Sequence, residues 1–356
     1  MNRIGSLIPR SPVLYATVLF FLVIAIVEPR NFQPASLSSM LPFAALLTIV
    51  SLGQTLVVQQ RGIDLSVAGT MTLSAIIVSK VAGGDEGALP FAVLVALAAG
   101  AVIGAILGLV VVVLRVTPLI ATFGMNAVVT GLVVAYAGGS STAVPLSLSG
   151  FASARTLGVH NLVWIALICT VLAVVVMSGT AFGRRFEAVG ASHAAARASG
   201  ERVQAIRWSA YLISSTLYAL AGVLAAGFVN VPDLSVGASY VMPSIAAVVL
   251  GGTSFAGGRG RMIGTMVAAL LLTQLNHFVL SIGASTAVQL IVQAAVIAVA
   301  AAQAPVAAAI ARRVSSRRRT AADAAASASR ERPPEEPREE PRQEPTQESL
   351  EQRSAP

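Results

Sequence analysis

The chain is a succession of long apolar runs separated by short joints marked with charged residues, glycine or proline. Ten runs can be drawn: Val13–Val27, Leu41–Gln59, Leu65–Ala82, Pro90–Leu114, Thr117–Ala137, Leu162–Met177, Ser209–Val229, Val241–Phe255, Met262–Leu280 and Thr286–Ala302. Most approach the roughly 20 residues that a helix needs to cross a bilayer, although the first, sixth and eighth are short. The expected fold is an all-α polytopic membrane protein with about ten transmembrane helices. Residues 1–311 would form the membrane domain and 312–356 a tail.

Composition agrees. The 356 residues are 55% hydrophobic and only 11% charged, with a mean hydropathy of +0.78, whereas soluble domains carry about 25% charged residues. The one cysteine, Cys169, lies in an apolar run, which excludes disulfide frameworks and Cys-ligated zinc. His160, His193 and His277 are too scattered to suggest a metal site. Lys80 is the sole lysine and sits in Val-Ser-Lys-Val, so the chain has no P-loop, which needs a lysine after its glycines. No cofactor is expected on this chain.

The net charge of +8 is a topology signal. With a cytoplasmic N-terminus and ten crossings, Arg3, Arg10, Arg61, Arg115, Arg184, Arg185, Arg197, Arg202, Arg207, Arg259, Arg261, Arg312 and Arg313 fall inside, and only Arg30, Lys80 and Arg155 outside. Thirteen against three follows the positive-inside rule. The other eight arginines share the tail from Arg317 onward with nine acidic residues, so nothing favours nucleic acid as a partner. Arg3 and Arg10 before an apolar core also suit a signal peptide, but no A-x-A-like site precedes Glu28-Pro29, and the first run is read as an uncleaved helix. Both termini are therefore expected in the cytoplasm. The excess of arginine over lysine, with abundant alanine, suggests a GC-rich bacterial genome.

After about residue 312 the sequence turns to Arg, Ala and Ser and then to Pro, Glu and Gln. It cannot bury enough apolar area to order itself, and a disordered cytoplasmic tail is expected. The longest inner connection runs over residues 178–208. Within it Ser192 is a suitable N-cap, the alanine-rich run through Ala195 and Ala196 favours helix, and Gly200 is a natural stop. A short helix of about two turns is expected there, at the membrane surface, either as mere surface decoration or to dock into a cleft of a soluble partner.

Gly100, Gly104 and Gly108 form a small-xxx-small ladder suited to close helix packing. Gly251, Gly252, Gly257, Gly258 and Gly260 mark a tight inner turn and not a phosphate cradle, since no lysine follows. Asp64-Leu65-Ser66-Val67 recurs as Asp233-Leu234-Ser235-Val236, once inside and once outside. That is the pattern of an inverted repeat in which helices two to five match seven to ten, although so short a match can also be chance.

Three motifs in this order resemble the membrane-spanning permease subunits of ribose-type sugar ABC importers, over roughly residues 13–305. The family pattern G-G-I-D-L-S-V-G stands here as Arg61-Gly62-Ile63-Asp64-Leu65-Ser66-Val67-Ala68. The pattern G-x-N-x-x-A-A-x-x-S-G matches Gly190, Ala195, Ala196, Ser199 and Gly200, with Ser192 in place of the asparagine. The glycine-rich stretch Gly251-Gly252-Thr253-Ser254 through Gly257-Gly258-Arg259-Gly260 is the third. The resemblance implies a subunit of the bacterial cytoplasmic membrane, surrounded by lipid, with no ATPase of its own. It implies a second permease subunit, cytoplasmic ABC ATPase subunits that bind ATP-Mg, and an extracytoplasmic solute-binding protein. Residues 178–208, with Glu187, Gly190, Ser192, Ala195, Ala196, Arg197, Ser199 and Gly200, would form the loop that couples to the ATPase.

A pathway for a polyol needs polar side chains within the spans. Gln54, Thr55, Thr122, Asn126, Gln274, Asn276 and Gln289 are candidates, and each equally suits an interhelical hydrogen bond. Gly62, Asp64 and Ser66 belong to the family motif, with Asp64 read first as a helix N-cap at the membrane edge and second as a solute ligand. The alternative is an ion-coupled secondary transporter. The spans contain almost no Asp, Glu or His to carry protons, His277 excepted, while sodium coupling through carbonyls and hydroxyls stays open. An intramembrane enzyme lacks a constellation, because neither Cys169 nor His277 has a visible partner.

Overall fold

A computed structural model describes residues 12–285, together with 287–289, 291, 292, 294, 295 and 298. The tail from residue 312 and most of the tenth apolar run lie outside the described residues. Twelve α-helices follow in order: α1 Pro12–Val27, α2 Pro34–Gln59, α3 Val67–Ala82, α4 Leu89–Gly108, α5 Pro118–Ala137, α6 Leu146–Ser153, α7 Asn161–Val174, α8 Ala181–Ala191, α9 His193–Ala198, α10 Val203–Val229, α11 Val241–Leu250 and α12 Met262–Ser281. A two-residue hairpin, β1 Arg155–Thr156 against β2 Val159–His160, stands between α6 and α7. Proline opens α2, α4 and α5, where its missing N–H costs nothing, and Gly83 and Gly138 close α3 and α5 in the left-handed conformation at φ 53° and 62°.

Nine of the ten apolar runs coincide with helices among the described residues. Six helical spans there are long and apolar enough to cross a membrane, two of them including a closing π-helical turn (Leu109–Val113 after α4, Val175–Gly179 after α7), and 67–82 and 238–250 are shorter apolar helices. The boundaries differ from the sequence reading in three places. Helix α2 starts at Pro34 and α10 at Val203, each well ahead of its apolar run, because helix continues into polar residues that the run excludes. The eighth run is a 3₁₀ turn, Ala238–Tyr240, followed by α11, and it stops at Leu250; Phe255 lies in the glycine-rich turn. Helices α6, α8 and α9 are additional to the ten, and of these α9 falls in the segment where a short helix was expected.

Helix α10 is the centre of the bundle, packed on α2, α3 and α4. The glycine ladder of α4 faces it. A methyl on Gly100 would lie 2.4 Å from Ala219 Cβ, one on Gly104 2.4 Å from the Tyr211 carbonyl oxygen, and one on Gly108 2.5 Å from Trp208 Cδ1. The two backbones touch because the side chains are missing, and Trp208 Nε1 donates to the Ala105 carbonyl at 3.0 Å. By contrast α5 and α7 expose Ile120, Phe123, Leu132, Ile168, Val171 and Leu172. These are apolar faces with no protein partner among the described residues, as lipid-facing helices show.

Residues 169 apart, such as Asp64 and Asp233, occupy similar structures. Shifting α2 by 169 gives 203–228 against α10, and shifting α3 gives 236–251 against the 3₁₀ turn and α11. Asp64 Oδ1 accepts from the Ser66 N–H (2.9 Å) and hydroxyl (2.6 Å), and Asp233 Oδ1 accepts from the Ser235 N–H (2.7 Å) and hydroxyl (2.9 Å). Helix α2 packs on α11 and α12 as α10 packs on α3 and α4. Ala68 and Gly237, also 169 apart, meet: a methyl on Gly237 would lie 2.4 Å from the Ala68 carbonyl oxygen.

Candidate functional site

The three family-like motifs, far apart in sequence, meet at one end of the bundle. Helix α2 ends there at Gln59, and its terminal carbonyl accepts from the Gly258 N–H at 3.0 Å. Gln60 Nε2 donates to the Phe186 carbonyl in α8 at 2.9 Å. Arg61 Nε donates to the Gly190 carbonyl at 2.9 Å, and its Nη2 donates to the Ala191 carbonyl. Glycine is required at the crossings. A methyl on Gly190 would meet the Gln59 oxygen at 2.2 Å, and one on Gly257, whose φ is +83°, would meet Arg61 Cγ at 2.5 Å. Helix α8, the 59–61 turn and the 257–260 turn thus form one packed platform.

The 178–208 connection is built in two pieces. Thr180 caps α8, its hydroxyl accepting from the Gly183 N–H at 3.2 Å. Phe186, Val189 and Gly190 turn inward, while Arg184, Arg185 and Glu187 face out, so α8 is amphipathic and lies on the bundle. Ser192 breaks the helix at φ −158° and caps α9, accepting from the Ala195 N–H at 3.2 Å. The helix expected over Ser192–Gly200 is therefore present, with Ala196 buried beneath it, Ser199 bonded back to Ala195, and Gly200 turning at φ +81°. Arg197 ends α9. Arg259 lies 3.5 Å from Glu187, and since its side chain is 89% exposed this pair adds little.

Beside the platform the chain turns inward through Gly62 and Asp64. The N-cap of α3 is Ser66 and not Asp64. Asp64 is fully buried by the protein, and its carboxylate closes an Asx turn onto Ser66. Gln54 clamps this turn: with its amide oxygen accepting from the Asp64 N–H (3.2 Å), its nitrogen donates to the Asp64 carbonyl (3.1 Å) and to the Tyr218 hydroxyl (3.0 Å). A methyl on Gly62 would crowd the Tyr211 hydroxyl at 2.7 Å.

The other polar candidates separate by partner. Thr122 donates to the Ile63 carbonyl at 3.1 Å, tying α5 to the motif, and Asn126 Oδ1 accepts from the Gly69 N–H at 2.9 Å, tying α5 to the first turn of α3. Thr55 and Thr265 pair at 3.1 Å between α2 and α12. Gln274 is fully buried with neither amide atom bonded. Asn276 and Gln289 line a cavity of about 220 Å³ at the opposite end, with Met40, Ser239, Tyr240 and His277. Gly251 packs on Thr265, and Gly252 turns at φ +88°. Gln59, Gln60, Tyr211 and Tyr218 are site residues that the sequence reading did not single out, and Arg61 entered it only as a motif position. Arg61, standing where the resembled pattern has glycine, was the one available signal.

Residues 36–301 match the family described as branched-chain amino acid transport system / permease component. The chain belongs to this permease family. It is 35% identical over 284 residues to the ribose import permease protein of Escherichia coli (strain K12), covering 78% of this chain and 88% of that one. It is 36% identical over 262 residues to the autoinducer 2 import system permease protein of Enterobacter sp. (strain 638), covering 73% and 76%. The ribose import permease protein of Bacillus subtilis (strain 168) is 33% identical over 280 residues, covering 77% and 86%. No solved structure matches the chain. It is a multi-pass membrane permease subunit and not an enzyme.

In this permease two departures from the resembled patterns, Arg61 and Ser192, fall at the platform, while a third, Ala68, lies in α3 against Gly237. Ser192 keeps the cap that asparagine would supply. Arg61 adopts φ +64°, a left-handed conformation that costs an L-residue roughly 1–2 kcal/mol. Its two bonds to the α8 carbonyls, at about 1.5–3 kcal/mol for a bond from a charged group, offset that cost.

Proposed function

We propose that the chain forms the transmembrane pathway of a bacterial ABC importer for a sugar or a related small polar solute. ATP-Mg is hydrolysed on separate cytoplasmic subunits, a second permease subunit completes the pathway, and an extracytoplasmic binding protein delivers the solute. The observation that carries this reading is the platform, where the α8–α9 arm is fastened to the end of α2 by Gln60 and Arg61 and packs on the 257–260 turn, itself bonded to α2 through Gly258. A push on the arm reaches the bundle through these bonds. ATP binding would close the ATPase pair, move α8–α9 and open the pathway outward. The sugar rests on the ribose and autoinducer 2 relatives, and the family description alone names a different solute class.

The topology belongs to the same proposal. Platform residues 59–61, 190–191 and 257–260 are all assigned inside by the arginine count. Ser38 lies 3.0 Å from His160 Nε2, His277 Nδ1 lies 3.1 Å from Asn31 Oδ1, and Ser147 binds Glu86; all six belong to the outer end. Ten crossings with both termini in the cytoplasm satisfy both sets. The shared offset of 169, the twin Asx turns and the Ala68–Gly237 contact support an inverted repeat relating helices two to five to seven to ten of the crossing order.

Uptake of radiolabelled ribose in cells expressing the chain with its neighbouring transport genes tests the energy source. The proposal requires uptake that survives an ionophore and stops when ATP is depleted. Uptake that collapses with the ionophore while ATP is maintained indicates an ion-coupled carrier.

A further inference from the structure

We infer that Arg61 is a positioning residue that transmits movement of the α8–α9 arm to the buried Asp64 turn; this rests on the coupling role proposed for the arm. Its guanidinium reaches the last two carbonyls of α8, Gly190 and Ala191, where the helix dipole favours a cation and no further turn of helix supplies N–H donors. The backbone of Arg61 is fixed at the other side: its N–H donates to the Val58 carbonyl at 2.9 Å, and the Gly62 N–H to the Val57 carbonyl at 3.0 Å. Three residues on, Asp64 is held by Gln54 and thereby by Tyr218 of α10. One side chain thus spans the step from the moving arm to the centre of the bundle.

The rest of the contact is backbone against backbone. Gly190 touches Gln59 and Gly258 without a side chain and so sets distance without a grip, and the Gly258–Gln59 bond joins the 257–260 turn to α2 and not to the arm. Gln60 adds a bond to Phe186, one turn earlier in α8. Arg61 holds the very end of α8, the point at which Ser192 swings the chain into α9. A left-handed φ at a non-glycine residue is consistent with a side chain retained for its contacts, since glycine would relieve the backbone.

The test uses the transporter assembled with its ATPase subunits in lipid nanodiscs, with hydrogen exchange followed before and after trapping with ADP–vanadate. In the unaltered protein, trapping should change exchange both in 181–200 and in 62–70. Arg61→Gly, which removes the grip and relaxes the backbone, should keep the ATPase bound and keep the change in 181–200. The change in 62–70 should shrink by about 5-fold or more, with Arg61→Lys in between because one ammonium cannot serve both carbonyls in a fork. An undiminished change in 62–70 in Arg61→Gly overturns the inference. Loss of the ATPase from Arg61→Gly but not from Arg61→Lys also overturns it, making Arg61 an assembly residue. If the unaltered protein shows no change in 181–200, the arm itself is not the coupling element, and the failure is that of the broader proposal.

Discussion

A methyl group on Gly190 would sit 2.2 Å from the carbonyl oxygen of Gln59, the same oxygen that receives the Gly258 N–H at 3.0 Å. Two backbones and a turn share one point, and no side chain can enter it. Gly190→Glu is therefore expected to lift α8 off the bundle. Overpacking of this kind costs about 1–3 kcal/mol locally, and the transmembrane helices, of which α2 reaches this point only with its last residue, should still insert. Uptake should fall to background with normal membrane levels on immunoblot; normal uptake would show that the arm does not need this seat.

Asp64 lends itself to a finer substitution. Its Oδ1 accepts two bonds from Ser66 while Oδ2 is buried without a partner. Asparagine preserves the accepting oxygen, so Asp64→Asn should shift thermal stability little, whereas Asp64→Ala leaves the buried Ser66 donors unsatisfied at about 1–3 kcal/mol. Equal, large losses of melting temperature in both variants would mean that the negative charge itself is needed.

His193, at the start of α9, predicts a pH response. Burial holds its imidazole below the ordinary value, and Arg207, Arg61 and Arg197 add to the effect, while Nε2 is buried without a partner. A base with a lowered pKa in the folded state is stabilising in its neutral form. That contribution is complete above the ordinary imidazole pKa of about 6.5 and is lost as pH falls below it. Proteolytic cutting within 192–200 should accelerate between about pH 7.5 and 5.5 in the unaltered protein, and stay level in His193→Gln. Acceleration of the same size in the variant would assign the response elsewhere.

Gly237 tests the packing between the two halves. Its N–H donates to Thr72 Oγ1 at 3.0 Å, and its missing side chain admits the Ala68 carbonyl. Gly237→Val should lower the melting temperature strongly, and Thr72→Val only by the worth of one hydrogen bond, about 1 kcal/mol. A silent Gly237→Val would argue against a close contact there.

The apolar runs were legible because lipid imposes them, and the Ser192 cap because its chemistry is local. Helix α8 escaped notice because Arg184, Arg185 and Glu187 break the hydropathy signal, although Phe182, Phe186, Val189 and Gly190 recur at helical spacing. Helix α6 has eight residues, too few for periodicity to speak. Gln54 and Thr122 could be named but not assigned, since an amide or hydroxyl that lines a pathway looks in sequence like one that ties helices together. The burial of Asp64 depends on how α2, α5 and α10 pack around the 61–66 turn, and no local signal encodes that.

The most direct measurement is affinity purification of the tagged chain from its native membrane in mild detergent, with mass spectrometry of what accompanies it. A P-loop ATPase in stoichiometric amount, lost on Gly190→Glu, is the predicted result. A stable preparation without any ATPase, from membranes that take up solute, would contradict the account.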